Sequence, residues 1–129
     1  MCGIAGYIGI KLLSENKINN CHLTMKRRGP DAQGTVNFKY KKKNIYLLHN
    51  RLKIIDLSNT ANQPFKYKDF TIIFNGEIYN FKEIKKDLIS KGYIFKTNSD
   101  TEVLLKNFIE KGFKAFDEFE GMWAIAIWN

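Results

Sequence analysis

Phe70-Thr71-Ile72-Ile73-Phe74-Asn75-Gly76-Glu77-Ile78-Tyr79-Asn80 opens with five β-branched or aromatic residues, too few for a helix and dense enough for a strand. Asn75-Gly76 then stops the run, because both residues tolerate positive φ and suit a tight turn. No second strand follows at hairpin distance. Glu77-Ile78-Tyr79 leads instead to Asn80, which with Glu83 three residues on has the form of a helix N-cap, and the helix it opens ends at Gly92.

On the N-terminal side, Gly3 to Ile10 is small, apolar and best read as a buried strand. From Asn16 to Arg28 the positions Ile18, Cys21, His22 and Met25 recur at helical spacing, and Arg28-Gly29-Pro30-Asp31 ends that helix. Thr35 to Tyr40 and Ile45 to Arg51 read as a β-hairpin whose tip carries Lys39 and Lys41 to Lys43. A loop rich in Asn, Ser and Thr follows from Asp56 to Pro64. On the C-terminal side, Tyr93 to Phe95 reads as a short strand. Ser99 and Glu102 then form a capping box ahead of a helix closed by Gly112. Phe113, Phe116 and Phe119 form a spaced apolar set assigned to the core. Met122 to Trp128 is a strand apolar on both faces, of a kind normally paired and covered, and the sequence ends with it. That ending reads as a truncated chain.

The 129 residues fit one domain, and 44% hydrophobic with 14% aromatic content excludes whole-chain disorder. The longest apolar stretch falls far short of the roughly 20 residues that cross a bilayer. No secretory leader pattern is visible, so the expected compartment is the cytoplasm. Two cysteines allow at most one bridge and lack metal-site spacing, so reduced thiols and no metal are expected. The net charge of +8 invites a nucleic-acid reading, but only Arg27, Arg28 and Arg51 among the 21 basic residues are arginines. Base-edge readout favours the guanidinium fork, so the lysines read as solvating charge.

Cys2 is the most informative candidate. Removal of Met1 would leave a thiol and a free α-amino group on one residue, with pKa values of about 8.5 and about 7.7 to 8.0. The amine could then take the thiol proton without a separate histidine. The bland alternative is a small cysteine buried at a strand start. Asn75 and Gly76 offer a side-chain amide and an unhindered N–H able to hold an oxyanion, the donors that acyl transfer from an amide needs. Arg51 could clamp a carboxylate bidentately, or simply pair with Asp56 or Asp31. Asp100 could accept a substrate ammonium, or merely favour a helix dipole. Jointly, these groups fit a free α-amino acid with an amide side chain. Cys21 and His22 are about 100° apart on their helix and cannot serve one site. His49 reads as a structural histidine.

These motifs resemble the glutamine-hydrolysing domain of the asparagine synthetase type, a class II, N-terminal-nucleophile glutamine amidotransferase. The resemblance is carried by Met1-Cys2-Gly3-Ile4, Arg28-Gly29-Pro30-Asp31, His49-Asn50-Arg51-Leu52 through Ile55-Asp56, Gln63-Pro64, Asn75-Gly76-Glu77-Ile78-Tyr79-Asn80, Ser99-Asp100-Thr101-Glu102 and Gly121-Met122. It covers residues 1–129 as one domain. It implies an α+β fold, an Ntn-hydrolase-type α-β-β-α sandwich of mainly antiparallel sheets, with further C-terminal strands missing. It assigns Cys2 as nucleophile and, through its amine, base, with Asn75 and Gly76 as the oxyanion hole. Arg51 would bind the glutamine carboxylate and Asp100 the ammonium; Glu77 would orient the substrate, and Ile54 and Ile55 would line the pocket. The implied partners are L-glutamine and a synthetase domain that would use ATP and Mg; no cofactor is expected in this chain. Two alternatives remain open: a catalytically silent domain that binds glutamine or a partner, and an amidotransferase serving a sugar or other acceptor.

Overall fold

The computed structural model describes residues 2–129. Three strands form the first sheet: β1 (Gly3–Gly9), β2 (Ala32–Tyr40) and β3 (Lys43–Arg51), antiparallel in the order β1-β3-β2. Between β1 and β2 lies α1 (Glu15–Met25), whose start is fixed by the Ser14 hydroxyl accepting from the Lys17 N–H. The second sheet comprises β4 (Phe65–Tyr67), β5 (Phe70–Ile78) and β6 (Gly121–Trp128), antiparallel in that order. Helices α2 (Phe81–Ser90) and α3 (Asp100–Lys111) separate β5 from β6.

The strand period of two sorts β3 between two layers. Tyr46 and Leu48 pack with Met25, Ile18 and Cys21 of α1, and the Asn50 amide reaches the His22 carbonyl on the same side. His49 points the other way, its Nε2 3.2 Å from the Phe74 carbonyl of β5. Ile72, Phe74 and Ile78 of β5 pack with Leu88 of α2 and with Val103, Leu104 and Leu105 of α3. Each of the fully buried aliphatic side chains among these contributes roughly 1.5–3 kcal/mol. The layers therefore run helix, sheet, sheet, helices, as the α+β sandwich expected from the sequence.

Four local expectations are corrected. Asn75-Gly76 does not end the strand: β5 runs through it to Ile78, paired with β6 from Ile78↔Gly121 to Thr71↔Trp128. A β6 partner arriving from far along the chain makes the pair a strand interior. The Asn80 side chain does not cap α2, because its amide donates to the Glu118 carbonyl at 2.8 Å and its oxygen accepts from the Glu120 N–H. Tyr93 to Phe95 is no strand: the Ile94 carbonyl is taken by Lys106 Nζ and the N–H groups of Lys96 and Thr97, just beyond, by the Glu102 carboxylate, so side chains of α3 replace a sheet partner. Ser99 caps α3 as expected, accepting from the Glu102 N–H. The Glu102 carboxylate does not complete a capping box, because it turns to Lys96, Thr97 and Lys106.

Of the three phenylalanines assigned to the core, Phe119 is buried but Phe113 is 81% exposed. The 3₁₀ turn Gly112–Asp117 has a period of three, so Phe113 and Phe116 lie in one row against Phe108, in edge-on and tilted contacts, and the outer ring of the row is left outside. The hairpin reading of residues 35–51 is correct: only Lys41 and Lys42 form the tip, and Lys39 and Lys43 lie in the paired strands. No helix among the described residues is long and apolar enough to cross a membrane.

Candidate active site

A cleft of about 260 Å³ opens where β1 begins, β3 ends, β5 ends and α3 begins. Cys2 stands at the start of β1, and its sulfur accepts from the Leu52 N–H at 3.4 Å, just beyond β3. Its carbonyl is held by Arg28 Nε at 3.0 Å, so the turn after α1 fixes the residue from the other side. Cys2 and Cys21 are both unpaired thiols. The reading that makes the Cys2 amine a base turns on Met1, which lies outside the described residues.

Gly76 lines the same cleft. The direction of its N–H follows from strand alternation. The Phe74 N–H donates to Gln63 Oε1 at 2.6 Å and the Ile78 N–H to Asp100 Oδ2 at 3.2 Å, both off the edge of β5 that faces away from β6. Amides two residues apart share an edge. The Gly76 N–H, midway between them, therefore projects from that edge into the cleft, where no acceptor among the described residues takes it. A glycine is required for a separate reason: a Cβ here would overlap the Met122 carbonyl of β6. Asn75, expected beside it, is not among the residues lining the cleft; its buried side-chain Oδ1, an acceptor, has no hydrogen-bond partner.

Arg51, the last residue of β3, is buried with its guanidinium fixed by three oxygens. Nη1 donates to the Ser58 carbonyl and to Asn62 Oδ1, each at 2.8 Å, and Nη2 donates to the Asp56 carbonyl. None of these acceptors carries a charge. The alternative of an ion pair with Asp56 or Asp31 is therefore corrected: Asp31 accepts from the Lys53 N–H, and Asp56 offers Arg51 only its main-chain oxygen. Arg51 keeps its positive charge and two unused donors beside the cleft.

Asp100 is the first residue of α3 and is buried, facing the cleft. Burial pushes its carboxyl up to about 6, against the bond from the Ile78 N–H, and the neighbouring Glu77 carboxylate adds to the rise. Glu77 lines the cleft as well, and Ile54 and Ile55 form part of its rim, Ile54 being 68% exposed. A fixed cation, a buried carboxylate, an N–H and a thiol thus share one concavity, drawn from four distant chain segments.

Three other residues shape the cleft without having been singled out as its parts. Gln63 latches β5 through its bond to the Phe74 N–H and braces α3 by donating to the Thr101 hydroxyl. Leu52 supplies the amide on the sulfur. Asp56 ties the loop after β3 to the segment before α3; its one sequence signal is Ser58 two positions on, the spacing of an Asx turn. His49, fully buried between the sheets, is structural as expected; burial takes its pKa down to about 4, and Nδ1 has no hydrogen-bond partner. His22 bonds Asn50 and Thr35, away from Cys21's packing in the α1 core. No group of three or more His, Cys, Asp or Glu side chains among the described residues could hold a metal.

The sequence matches the glutamine amidotransferase domain family over residues 1–129. The chain belongs to that family. This amidotransferase domain is 39% identical to asparagine synthetase [glutamine-hydrolyzing] 1 of Bacillus subtilis (strain 168), covering all of the chain and 21% of that protein. It is 35% identical to asparagine synthetase B [glutamine-hydrolyzing] of Escherichia coli (strain K12), again over the whole chain and 23% of that protein. Against asparagine synthetase [glutamine-hydrolyzing] of Zea mays the identity is 34%, over 98% of the chain and 21% of the relative. The amidotransferase domain described here thus spans about a fifth of the length of these relatives.

Proposed function

We propose that the chain hydrolyses the side-chain amide of L-glutamine through a γ-glutamyl thioester on Cys2. The observation that carries this reading is the shared cleft: Cys2, Gly76, Arg51 and Asp100 meet there, and each matches one demand of the substrate. Arg51 donates to the α-carboxylate and Asp100 accepts from the α-ammonium, with Glu77, Ile54 and Ile55 shaping the space around the chain of the substrate. These two charged contacts aim the amide carbon at the thiol end of the cleft. The sulfur attacks that carbon and forms the C–S bond while the carbonyl π electrons move to oxygen. The Gly76 N–H and the Asn75 amide stabilise that oxyanion. Its collapse expels ammonia, which leaves with the proton first taken from the thiol by the α-amine of residue 2, after removal of Met1. Water then gives a proton to the same amine as it attacks the thioester; the C–S bond breaks, the amine returns the proton to the sulfur, and glutamate leaves.

The relatives supply the second half of the proposal. They are named glutamine-hydrolysing asparagine synthetases, which supports a reading in which the ammonia formed here passes to an activated aspartate in a synthetase domain that would use ATP and Mg. A cytoplasmic setting fits that role. Treatment with a γ-glutamyl diazo analogue followed by mass spectrometry tests the first half. One adduct on Cys2, together with ammonia release from glutamine, is the expected result. Unlabelled protein that has lost Met1 would overturn the thioester mechanism. Glutamine binding without ammonia release would favour a silent binding domain.

A further inference from the structure

Asp56 makes more connections than its place in an irregular loop requires. Its Oδ1 accepts from the Ser58 N–H at 2.8 Å and from the Ser58 hydroxyl at 2.6 Å. Its Oδ2 accepts from the Asn98 N–H at 2.8 Å, across 42 residues of sequence. Its own carbonyl accepts from Arg51 Nη2, and Ser58, which it orients, gives its carbonyl to Arg51 Nη1. Asn98 in turn stands two residues before Asp100 and immediately before Ser99, the residue that caps α3. Asp56 is buried and lines the cleft. One side chain therefore fastens the loop that holds the cation to the segment that presents the buried carboxylate.

We propose that Asp56 is a positioning residue that sets the separation between the Arg51 guanidinium and the Asp100 carboxylate, and so selects free α-amino acids over amides bearing only one of the two charges. This rests on the glutamine reading of the site. A ligand touching both groups is sensitive to their spacing, because a displacement of either one misaligns it. A ligand touching one group can follow that group when it moves.

The test is calorimetric titration of the Cys2→Ala chain, which binds without turnover, with three ligands. These are L-glutamine, glutaramate lacking the α-ammonium, and γ-aminobutyramide lacking the α-carboxylate. Asp56→Asn keeps the side-chain volume and one acceptor oxygen but sets an NH₂ against the Ser58 N–H or the Asn98 N–H. It should weaken glutamine at least about tenfold while changing either one-charge ligand less than about twofold. Ser58→Ala, which removes the hydroxyl bonds to Asp56 and Thr60 and leaves the Asp56 carboxylate in place, should weaken glutamine by a smaller factor and leave the other two unchanged. Equal weakening of all three ligands, or undiminished glutamine binding in Asp56→Asn, overturns the inference and leaves the glutamine reading standing. Absence of glutamine binding before Asp56 is altered overturns that reading and this inference together.

Discussion

Asp100 carries its charge at a cost to the fold. Its carboxyl titrates at about 6 in the folded chain against an ordinary 3.8, so the folded state holds the proton more tightly than the unfolded one. The stability this confers is complete below pH 4 and is lost as the pH rises through 6, leaving a deficit of about 2–3 kcal/mol at neutral pH. Asp100→Asn should therefore raise the melting temperature at pH 8 and not at pH 4, as thermal denaturation by circular dichroism would show. The same substitution should abolish glutamine binding. In the unsubstituted chain glutamine affinity should fall about tenfold per pH unit below 6, because only the carboxylate accepts an ammonium. Gly76→Ala is the second case at this scale. Its methyl group strikes the backbone of β6, so both stability and ammonia release should drop, by about 2 kcal/mol for the former. The side-chain types at Cys2, Arg51 and Asp100 were legible in the sequence because each has chemistry rare enough to attract notice. The direction of the Gly76 N–H was not, since it depends on which edge of β5 meets a strand 45 residues away.

Capping illustrates what a short spacing conveys and what it omits. Ser99 and Asn80 carry the same kind of signal, a capping residue with Glu three positions later, yet only Ser99 caps. Asn80 instead cross-links the end of β5 to the start of β6, a partnership no local pattern encodes. Glu102 departs from its expected role because Lys106 lies one helical turn along, and both are 1% exposed. Lys106 Nζ sits 2.6 Å from Glu102 Oε1 and 4.4 Å from the ring centres of both Tyr67 and Phe95. Lys106→Met should destabilise the chain by about 3 kcal/mol in urea titration, since it strands a buried carboxylate. The double variant Glu102→Gln with Lys106→Met should lose less than the single one, because no uncompensated charge remains. Asn80→Ala should cost about 1–2 kcal/mol through the two bonds it makes between β5 and β6.

Across the whole molecule, the layer order is a consequence of alternation in β3 and β5, which each give one face to helices and one to the opposing sheet. The three helices and every strand but β4 were legible from apolar patterning; Phe65–Tyr67 is too short to carry such a pattern. The assembly of the strands into two sheets came instead from the family resemblance, because pairing of β1 with β3 and of β5 with β6, between segments far apart in the chain, leaves no periodic trace. The cleft forms only when all four segments are in place, so a ligand that bridges them should stabilise the entire fold. L-Glutamine at about a hundredfold excess over its Kd should add about 2.7 kcal/mol to the Cys2→Ala chain, visible as a higher Tm. The alternation of β5 also has a consequence for how this domain can vary. Loss or gain of one residue between Phe74 and Ile78 would rotate the amide of Gly76 toward β6 and turn a neighbouring carbonyl into the cleft, replacing a donor with an acceptor. Sequence length is free to drift in the lysine hairpin, but inside this strand the count of residues is itself part of the chemistry.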